Sequence, residues 1–237
     1  MATFSHISSV PAFIEPISDL TTLVKSYNPN AKVLVDGAHA LGQIPLDIPS
    51  LGPIDFYLSN AHKWMYSPKG SAFLWTSPSN IDDLRPQPAV ISSENDVSGG
   101  TDYATRFGYT GTKDFTAYLS VSDAIAFRNE LEAENGSIIE YTDGLAKWAG
   151  DYLTALWGTT RLSPSEFEAA LFNVILPTKD FELATKMQED LLDKEGIYML
   201  VLKDEATGIV FTRLSAQIYL ERGDFERVGK LVLEYLK

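Results

Sequence analysis

The chain has 237 residues, of which 45% are hydrophobic and 22% are charged, which is ordinary for a globular protein that buries a core. Its formal charge of −13 at pH 7 argues against nucleic acid as a partner, because binding to a phosphate backbone needs a basic surface. The sequence contains no cysteine, which excludes disulfides, thiolate metal sites and a cysteine nucleophile within this chain. We expect no metal site.

Targeting signals are the next property that the sequence addresses. No stretch approaches the roughly 18 consecutive apolar residues that a membrane span needs. The first residues, MATFSHISSVPAF, lack the basic and apolar parts of a secretory signal. We therefore expect a cytoplasmic protein with no membrane partner.

The first third of the chain alternates helix and strand patterns, as an α/β domain does. Apolar residues at helical spacing predict a helix over Ile17–Tyr27, with Ser18 as its N-cap. Short apolar runs predict three strands, at Lys32–Asp36, Asp55–Ser59 and Ser71–Thr76.

The pattern changes twice beyond the third strand. Residues 77–111 contain three prolines and a Gly99-Gly100 pair, which predict a long irregular segment. Helical spacing then returns, and the order that begins at Phe172 is strand, helix, strand, strand, helix, which predicts a small α+β domain. The predicted elements of this half are helices over Asp114–Glu134, Ser137–Trp157, Asp180–Glu195 and Asp224–Tyr235, and strands over Phe172–Leu176, Tyr198–Leu202 and Ile209–Leu214.

Two side chains that could carry chemistry follow successive predicted strands, Asp36 and Lys63. Ligands of open α/β sheets bind beyond the carboxyl ends of the strands. A lysine there can form an imine with an aldehyde, and a carboxylate there can keep a ring nitrogen protonated. Pyridoxal 5′-phosphate (PLP) requires both. Spacing alone leaves open a turn aspartate and a solvated surface lysine.

The residues around this pair narrow the choice. Residues 36–42 (DGAHALG), 59–64 (SNAHKW) and 68–71 (PKGS) together resemble the class V aminotransferase family of fold-type I PLP-dependent enzymes. The match is best to the branch similar to isopenicillin N epimerase and to carbon–sulfur lyases, and it covers nearly the whole chain. Lys69 is the rival lysine, but its Pro-Lys-Gly setting indicates a turn.

The resemblance implies a fold and its division. Residues 1–112 would form part of a large PLP-binding domain with a mostly parallel sheet, and residues 113–237 would form connecting helices and a small α+β C-terminal domain. Chains of the family extend further at the N-terminus, so the resemblance implies an N-terminally truncated chain that binds PLP weakly, or not at all, when isolated.

The resemblance also assigns roles at the cofactor. Lys63 would hold PLP as a Schiff base and then move the α-proton of the substrate. Asp36 would pair with the ring nitrogen, and His39 would lie near the ring face or its 3′-oxygen. His62 and Asn60 would reach the phosphate.

Further roles fall outside this cluster. Thr112, in the family's GTxD motif at residues 111–114, would contact the phosphate of a neighbouring subunit's cofactor, which implies a homodimer. Arg213 would bind the substrate α-carboxylate, the alternative being a surface ion pair. Ser9 or its neighbour Ser8 would line the cofactor edge.

The reaction is left open by the sequence. The resemblance implies an amino-acid substrate and epimerisation of the isopenicillin N epimerase type, with carbon–sulfur lysis of a cysteine-type substrate or transamination as alternatives. Desulfuration through a mobile cysteine is set aside because the chain has none. The non-enzymatic alternative is a catalytically incomplete fragment that acts only as a dimerisation module.

Overall fold

The computed structural model describes residues 1–82 and 111–236, so most of the predicted irregular segment at residues 77–111 lies outside the described residues. The chain forms two compact units. The first unit comprises Met1–His6, Pro16–Leu41 and Leu46–Phe127, and the second unit comprises Ile7–Glu15, Gly42–Pro45 and Arg128–Lys237. The predicted division after residue 112 stays a prediction, because a compact unit need not coincide with a domain.

The first unit is built around a mixed sheet with the helix Ile17–Tyr27, and the second unit around an antiparallel sheet with three long helices. The strands are β1 (Ala2–Ser5), β2 (Ile7–Ser9), β3 (Ala12–Ile14), β4 (Val33–Asp36), β5 (Phe56–Asn60), β6 (Ala72–Thr76), β7 (Leu171–Ile175), β8 (Leu200–Lys203) and β9 (Val210–Ser215). The helices are α1 (Ile17–Tyr27), α2 (Thr116–Leu119), α3 (Val121–Asn135), α4 (Ile138–Trp157), α5 (Phe181–Glu195) and α6 (Arg222–Tyr235). None of the described helices is long and apolar enough to cross a membrane.

The sheet of the first unit has the strand order β1-β4-β5-β6. β1, β4 and β5 run parallel, and β6 runs antiparallel to β5. The side chains of the apolar core cluster of this unit come from alternate positions of the central strands, as the two-residue period of a strand requires, and also from α1 and the segment just before β5. They are Ile17, Val33, Val35, Ile54 and Tyr57. The predicted α/β class with a mostly parallel sheet is confirmed.

The sheet of the second unit is antiparallel, with the order β7-β9-β8. One face of it packs against α4, α5 and α6 in a large apolar core. The predicted strand–helix–strand–strand–helix order is confirmed, with strand ends displaced by one or two residues. The hairpin of β2 and β3 was not predicted, since strands of three residues carry too little periodicity.

Two local predictions are wrong, and each has a physical reason. The N-cap of α1 is Pro16 rather than Ser18, because proline lacks an N–H and enters the first turn of a helix without losing a hydrogen bond. The helix predicted over Asp114–Glu134 is divided at Ser120. The Ser120 hydroxyl donates to the Thr116 carbonyl at 2.8 Å, so it competes with backbone N–H groups for that acceptor. The N-cap of α2 is Phe115, and Asp114, one residue earlier, accepts from the Thr116 amide at 2.8 Å.

A buried carboxylate joins the elements of the first unit. Asp55 is 5% exposed and accepts hydrogen bonds from Lys25, Asn80, the Val33 amide and Lys32. Burial alone would raise the pKa of Asp55, but these hydrogen bonds outweigh burial and lower the pKa from 3.8 to about 2.

The Asp55→Asn substitution should lower the free energy of unfolding by about 2 kcal/mol at pH 7. Because the folded-state pKa lies below the unfolded-state value, this stability is fully present above about pH 4 and is lost as the pH falls toward 2. Urea unfolding of both proteins between pH 7 and pH 2 measures this pH dependence of the stability. Asp47→Asn, at an exposed position, is the matched control. A loss for Asp55→Asn that is equal at pH 7 and near pH 2 would contradict the account.

Candidate functional site

The turn after β4 holds Asp36 at the carboxyl end of the parallel strands. Its Oδ1 accepts a hydrogen bond from the Ala38 amide at 2.9 Å. The Gly37 amide donates to the Leu58 carbonyl at 2.7 Å, and the Gly37 carbonyl accepts from the Ser59 hydroxyl at 2.6 Å. These bonds fasten the turn to the neighbouring strand β5, so the position of Asp36 is set by the sheet.

Gly37 is required by a side chain that passes beneath the turn. A Cβ atom at Gly37 would lie 2.1 Å from the Tyr57 hydroxyl oxygen, and Tyr57 is fully buried. The Tyr57 hydroxyl lies 2.9 Å from Nδ1 of the buried His6. Burial, and then the negative charge of Asp36, raise the pKa of Tyr57, and burial lowers the pKa of His6. Both groups are therefore neutral at pH 7, and His6 is a packed structural histidine.

The carboxylate of Asp36 is half-buried and forms no ion pair within residues 1–82 and 111–236. Asp55, in the same unit, is paired with two lysines. A carboxylate at the edge of the sheet that has no ion pair among the described residues is suited to accept a hydrogen bond from a cationic N–H group of a ligand.

Lys63 lies three residues beyond β5 in a loop that is held by its own hydrogen bonds. The Ala61 amide and His62 Nδ1 both donate to the Ser71 carbonyl, at 3.0 and 3.1 Å. The Ser71 hydroxyl in turn donates to Ser67 Oγ at 2.9 Å. Lys63 is half-buried, and its Nζ lies 3.2 Å from His39 Nε2. The structure therefore brings together Lys63 and His39, from the loops that follow two adjacent parallel strands.

The rival lysine has a different environment. Lys69 is exposed in the turn that precedes β6, in agreement with its prediction as a turn residue. Between the two lysines, Tyr66 adopts a φ of 62°, a left-handed conformation that a non-glycine residue adopts at a cost and that is enriched at functional sites.

The residues predicted to reach the phosphate also belong to the first unit. Asn60 is the half-buried last residue of β5. His62 uses Nδ1 on the Ser71 carbonyl, so Nε2 is the atom left to face an anion. Thr112 is exposed ahead of α2. The phosphate roles of these three residues stay predictions.

Arg213 and Ser9 meet in the second unit. Arg213, on β9, donates from Nη1 to Ser9 Oγ at 2.7 Å and to the Ser9 carbonyl at 3.2 Å. No carboxylate pairs with Arg213 in the described parts of the chain, although the protein is strongly acidic. Among the described residues, Arg213 therefore contacts Ser9 rather than a carboxylate. The contact with Ser9 was not predicted, and a role for Ser9 at a cofactor edge stays a prediction.

Arg213 also lines a cleft of about 620 Å³ within the second unit. The cleft is bordered by apolar residues of β8 and α6 and by the exposed rings of Tyr198 and Tyr219. Arg227 lies in the same cleft but is paired with Glu195 at 2.7 Å.

Over residues 1–82 and 111–236, no group of three or more acidic or histidine side chains is placed to hold a metal ion.

Comparison with known proteins identifies relatives along the chain. The profile of the family described as Aminotransferase class-V matches residues 1–213. The chain is 28% identical to a putative L-cysteine desulfhydrase 1 of Oryza sativa subsp. japonica, over 99% of this chain and 52% of that protein. It is also 28% identical to the isopenicillin N epimerase of Streptomyces clavuligerus, over 95% of this chain and 58% of that protein. The chain thus spans a little more than half the length of these relatives.

A solved structure shows the same fold. It is a C-DES mutant with glycine covalently linked to its PLP cofactor, and it superposes with a TM-score of 0.74 at 18% identity. The match covers 97% of this chain and 59% of that one.

Gly37→Ala should destabilise the protein by about 3 kcal/mol, because the added methyl group meets the buried ring of Tyr57 rather than the end of a flexible side chain. Urea unfolding measures the loss. Gly144→Ala, within α4 and with open space around its Cβ position, is the control and should be neutral or stabilising by about 1 kcal/mol. Equal effects of the two substitutions would contradict the packing described for Gly37.

Proposed function

This chain belongs to the class-V aminotransferase family, and we propose that it binds PLP and acts on an amino acid, with Lys63 as the residue that holds the cofactor. One observation carries the proposal. Asp36 is the last residue of β4 and Lys63 follows the adjacent parallel strand β5, and the Lys63 amine lies 3.2 Å from His39 Nε2. Ligands of α/β sheets bind at this edge.

The residues present fit PLP. A pyridinium N–H needs a carboxylate with a free charge, and Asp36 has no ion pair within the described residues. The aldehyde of PLP needs a primary amine in a partly buried position, and Lys63 has one, whereas Lys69 is exposed. When bound, PLP supplies an electron sink for bond cleavage at the substrate α-carbon.

Residues of this chain then carry separate roles in proton transfer, in protonation of the cofactor ring and in substrate binding. Lys63 Nζ is the base that takes the α-proton and returns it, and His39 Nε2 is the neighbour with which that nitrogen can share a proton. Asp36 keeps the ring nitrogen protonated. Arg213 and the Ser9 hydroxyl bind the substrate carboxylate, a task for which a planar guanidinium is better suited than an ammonium.

Carbon–sulfur lysis is the second candidate reaction, beside epimerisation. The name of the rice relative supports it, and so does the chemistry. Elimination needs a single base at the substrate α-carbon, which is the role proposed for Lys63. Epimerisation needs in addition a proton donor on the opposite face of the substrate.

A homodimer is part of the proposal. Thr112 is exposed in the GTxD motif, and it precedes a run of exposed apolar side chains at Phe115, Tyr118 and Leu119. Leu119 is 73% exposed. Exposed apolar groups in sequence are typical of an interaction surface. The same surface would serve the alternative in which the chain is only a dimerisation module. A cytoplasmic location stays a prediction.

Lys63→Ala should abolish covalent attachment of PLP. Because the resemblance implies weak binding of PLP by the isolated chain, borohydride reduction is carried out with PLP in large excess. Peptide mass spectrometry should then find the label on Lys63 in the unsubstituted protein and in Lys69→Ala. The Lys63→Ala variant should carry none at that peptide. A label spread evenly over exposed lysines, or kept in full by Lys63→Ala, would contradict the proposal and favour the dimerisation module.

Arg213→Lys should raise the KM for an amino-acid substrate about 10- to 100-fold, because a bidentate charge-assisted contact is lost. An amino-acid panel scored for racemisation, pyruvate, sulfide and keto acid identifies the reaction and gives the KM. Arg227→Lys is the control in the same cleft. Since Arg227 already pairs with Glu195, its substitution should change the KM by about two-fold or less. Equal effects of both substitutions would contradict the carboxylate role of Arg213.

A further inference from the structure

A buried amide lies beside Arg213 in the sheet of the second unit. Asn173 on β7 is the direct cross-strand partner of Arg213 on β9, so the two side chains leave the same face of the sheet. Both reach the hairpin of β2 and β3. Arg213 Nη1 binds Ser9, and Asn173 Nδ2 donates to the Ala12 carbonyl at 3.0 Å. Ser9 and Ala12 face each other in that hairpin.

The backbone of Asn173 is fixed from a second direction. Its amide donates to Glu168 Oε1 at 3.2 Å, and Glu168 Oε2 accepts from Arg161 Nη1 at 2.6 Å. Glu168 is 4% exposed. A buried ion pair thus holds the strand at the residue whose side chain reaches the hairpin.

The buried side chain of Asn173 has a hydrogen-bond acceptor that is unsatisfied among the described residues, which is unfavourable for folding. The residue is fully buried, and within residues 1–82 and 111–236 its Oδ1 has no hydrogen-bond partner. A buried acceptor left unsatisfied is unfavourable and calls for an explanation. Packing alone does not explain it, because an apolar side chain of similar size would fill the position without that penalty.

We infer that Asn173 is a positioning residue for the carboxylate site formed by Arg213 and Ser9. By holding Ala12 it fixes the end of the hairpin, and so it fixes the Ser9 oxygens that bind Arg213 Nη1. The Nε and Nη2 groups, which have no hydrogen-bond partner in the described parts of the chain, then keep one orientation toward a ligand carboxylate. The inference rests on the proposed role of Arg213 in binding the substrate carboxylate.

The test uses the full chain and acetate as the probe. The ¹H–¹⁵N resonance of Arg213 Nε, assigned with Arg213→Lys, is followed during acetate titration of the unsubstituted protein and of Asn173→Ala. The substitution should move the resonance of the acetate-free protein and weaken acetate binding about three- to ten-fold, the equivalent of one hydrogen bond. Ser9→Ala, at an exposed position, should act in the same direction.

Val174→Ala is the matched control. Val174 is the next residue of β7 and is equally buried, but it faces the helical core. It should lower the stability and leave the Arg213 resonance and the acetate affinity unchanged. Should Asn173→Ala fail to fold, Asn173→Ser replaces it, because a serine hydroxyl is too short to reach Ala12.

The outcomes separate the inference from the function on which it rests. Acetate binding that Asn173→Ala or Asn173→Ser leaves unchanged overturns the inference alone. No acetate binding by the unsubstituted protein contradicts the proposed role of Arg213, and the inference falls with it. Weakened binding in the asparagine variants and in Ser9→Ala, but not in Val174→Ala, supports both.

Discussion

The parallel pairing of β4 with β5 is the constraint on which the candidate site depends. It places Asp36 opposite Leu58, so that the turn after one strand and the loop after the other emerge at the same edge. The Gly37 amide and carbonyl then bond to β5, and the Tyr57 ring occupies the space that a side chain at Gly37 would need. A glycine after the aspartate is therefore required by the packing of the sheet. The same strand pairing brings the loops that carry His39 and Lys63 next to each other.

Charge is distributed unevenly between structural and candidate functional groups. Asp55 and Glu168 are buried, and each is paired with cations of its own unit. Asp36 and Arg213 have no such partner among the described residues, although a protein with a formal charge of −13 offers many carboxylates to an arginine. Ionisable groups that lack an ion-pair partner among the described residues are suited to a ligand of opposite charge. Asp36 suits a cationic ring nitrogen, and Arg213 suits a carboxylate.

The sequence was sufficient for the parts of the fold that rest on periodicity and for the residues that lie in motifs. Asp36 and Lys63 follow strands that read as short apolar runs, and their neighbours carry the family resemblance. Other features depend on contacts that no local pattern records. Ser9 and Arg213 are 204 residues apart, Asn173 is a single polar residue within an apolar strand, and the break at Ser120 depends on a hydroxyl bonding to its own helix. In the sequence Tyr57 is indistinguishable from any core residue, because its contact with Gly37 depends on the packing of strands β4 and β5.

Asp36 and Lys63 are proposed to form one PLP site, and the protonation state of the PLP ring nitrogen is the property that decides whether Asp36 belongs to it. The protein bound to PLP labelled with ¹⁵N in the ring is measured by NMR, alone and with Asp36→Asn. We expect a protonated ring nitrogen in the unsubstituted protein and an unprotonated one in Asp36→Asn, because an amide does not stabilise a pyridinium as a carboxylate does. A ring nitrogen that is unprotonated in both proteins, or protonated equally in both, would contradict the account.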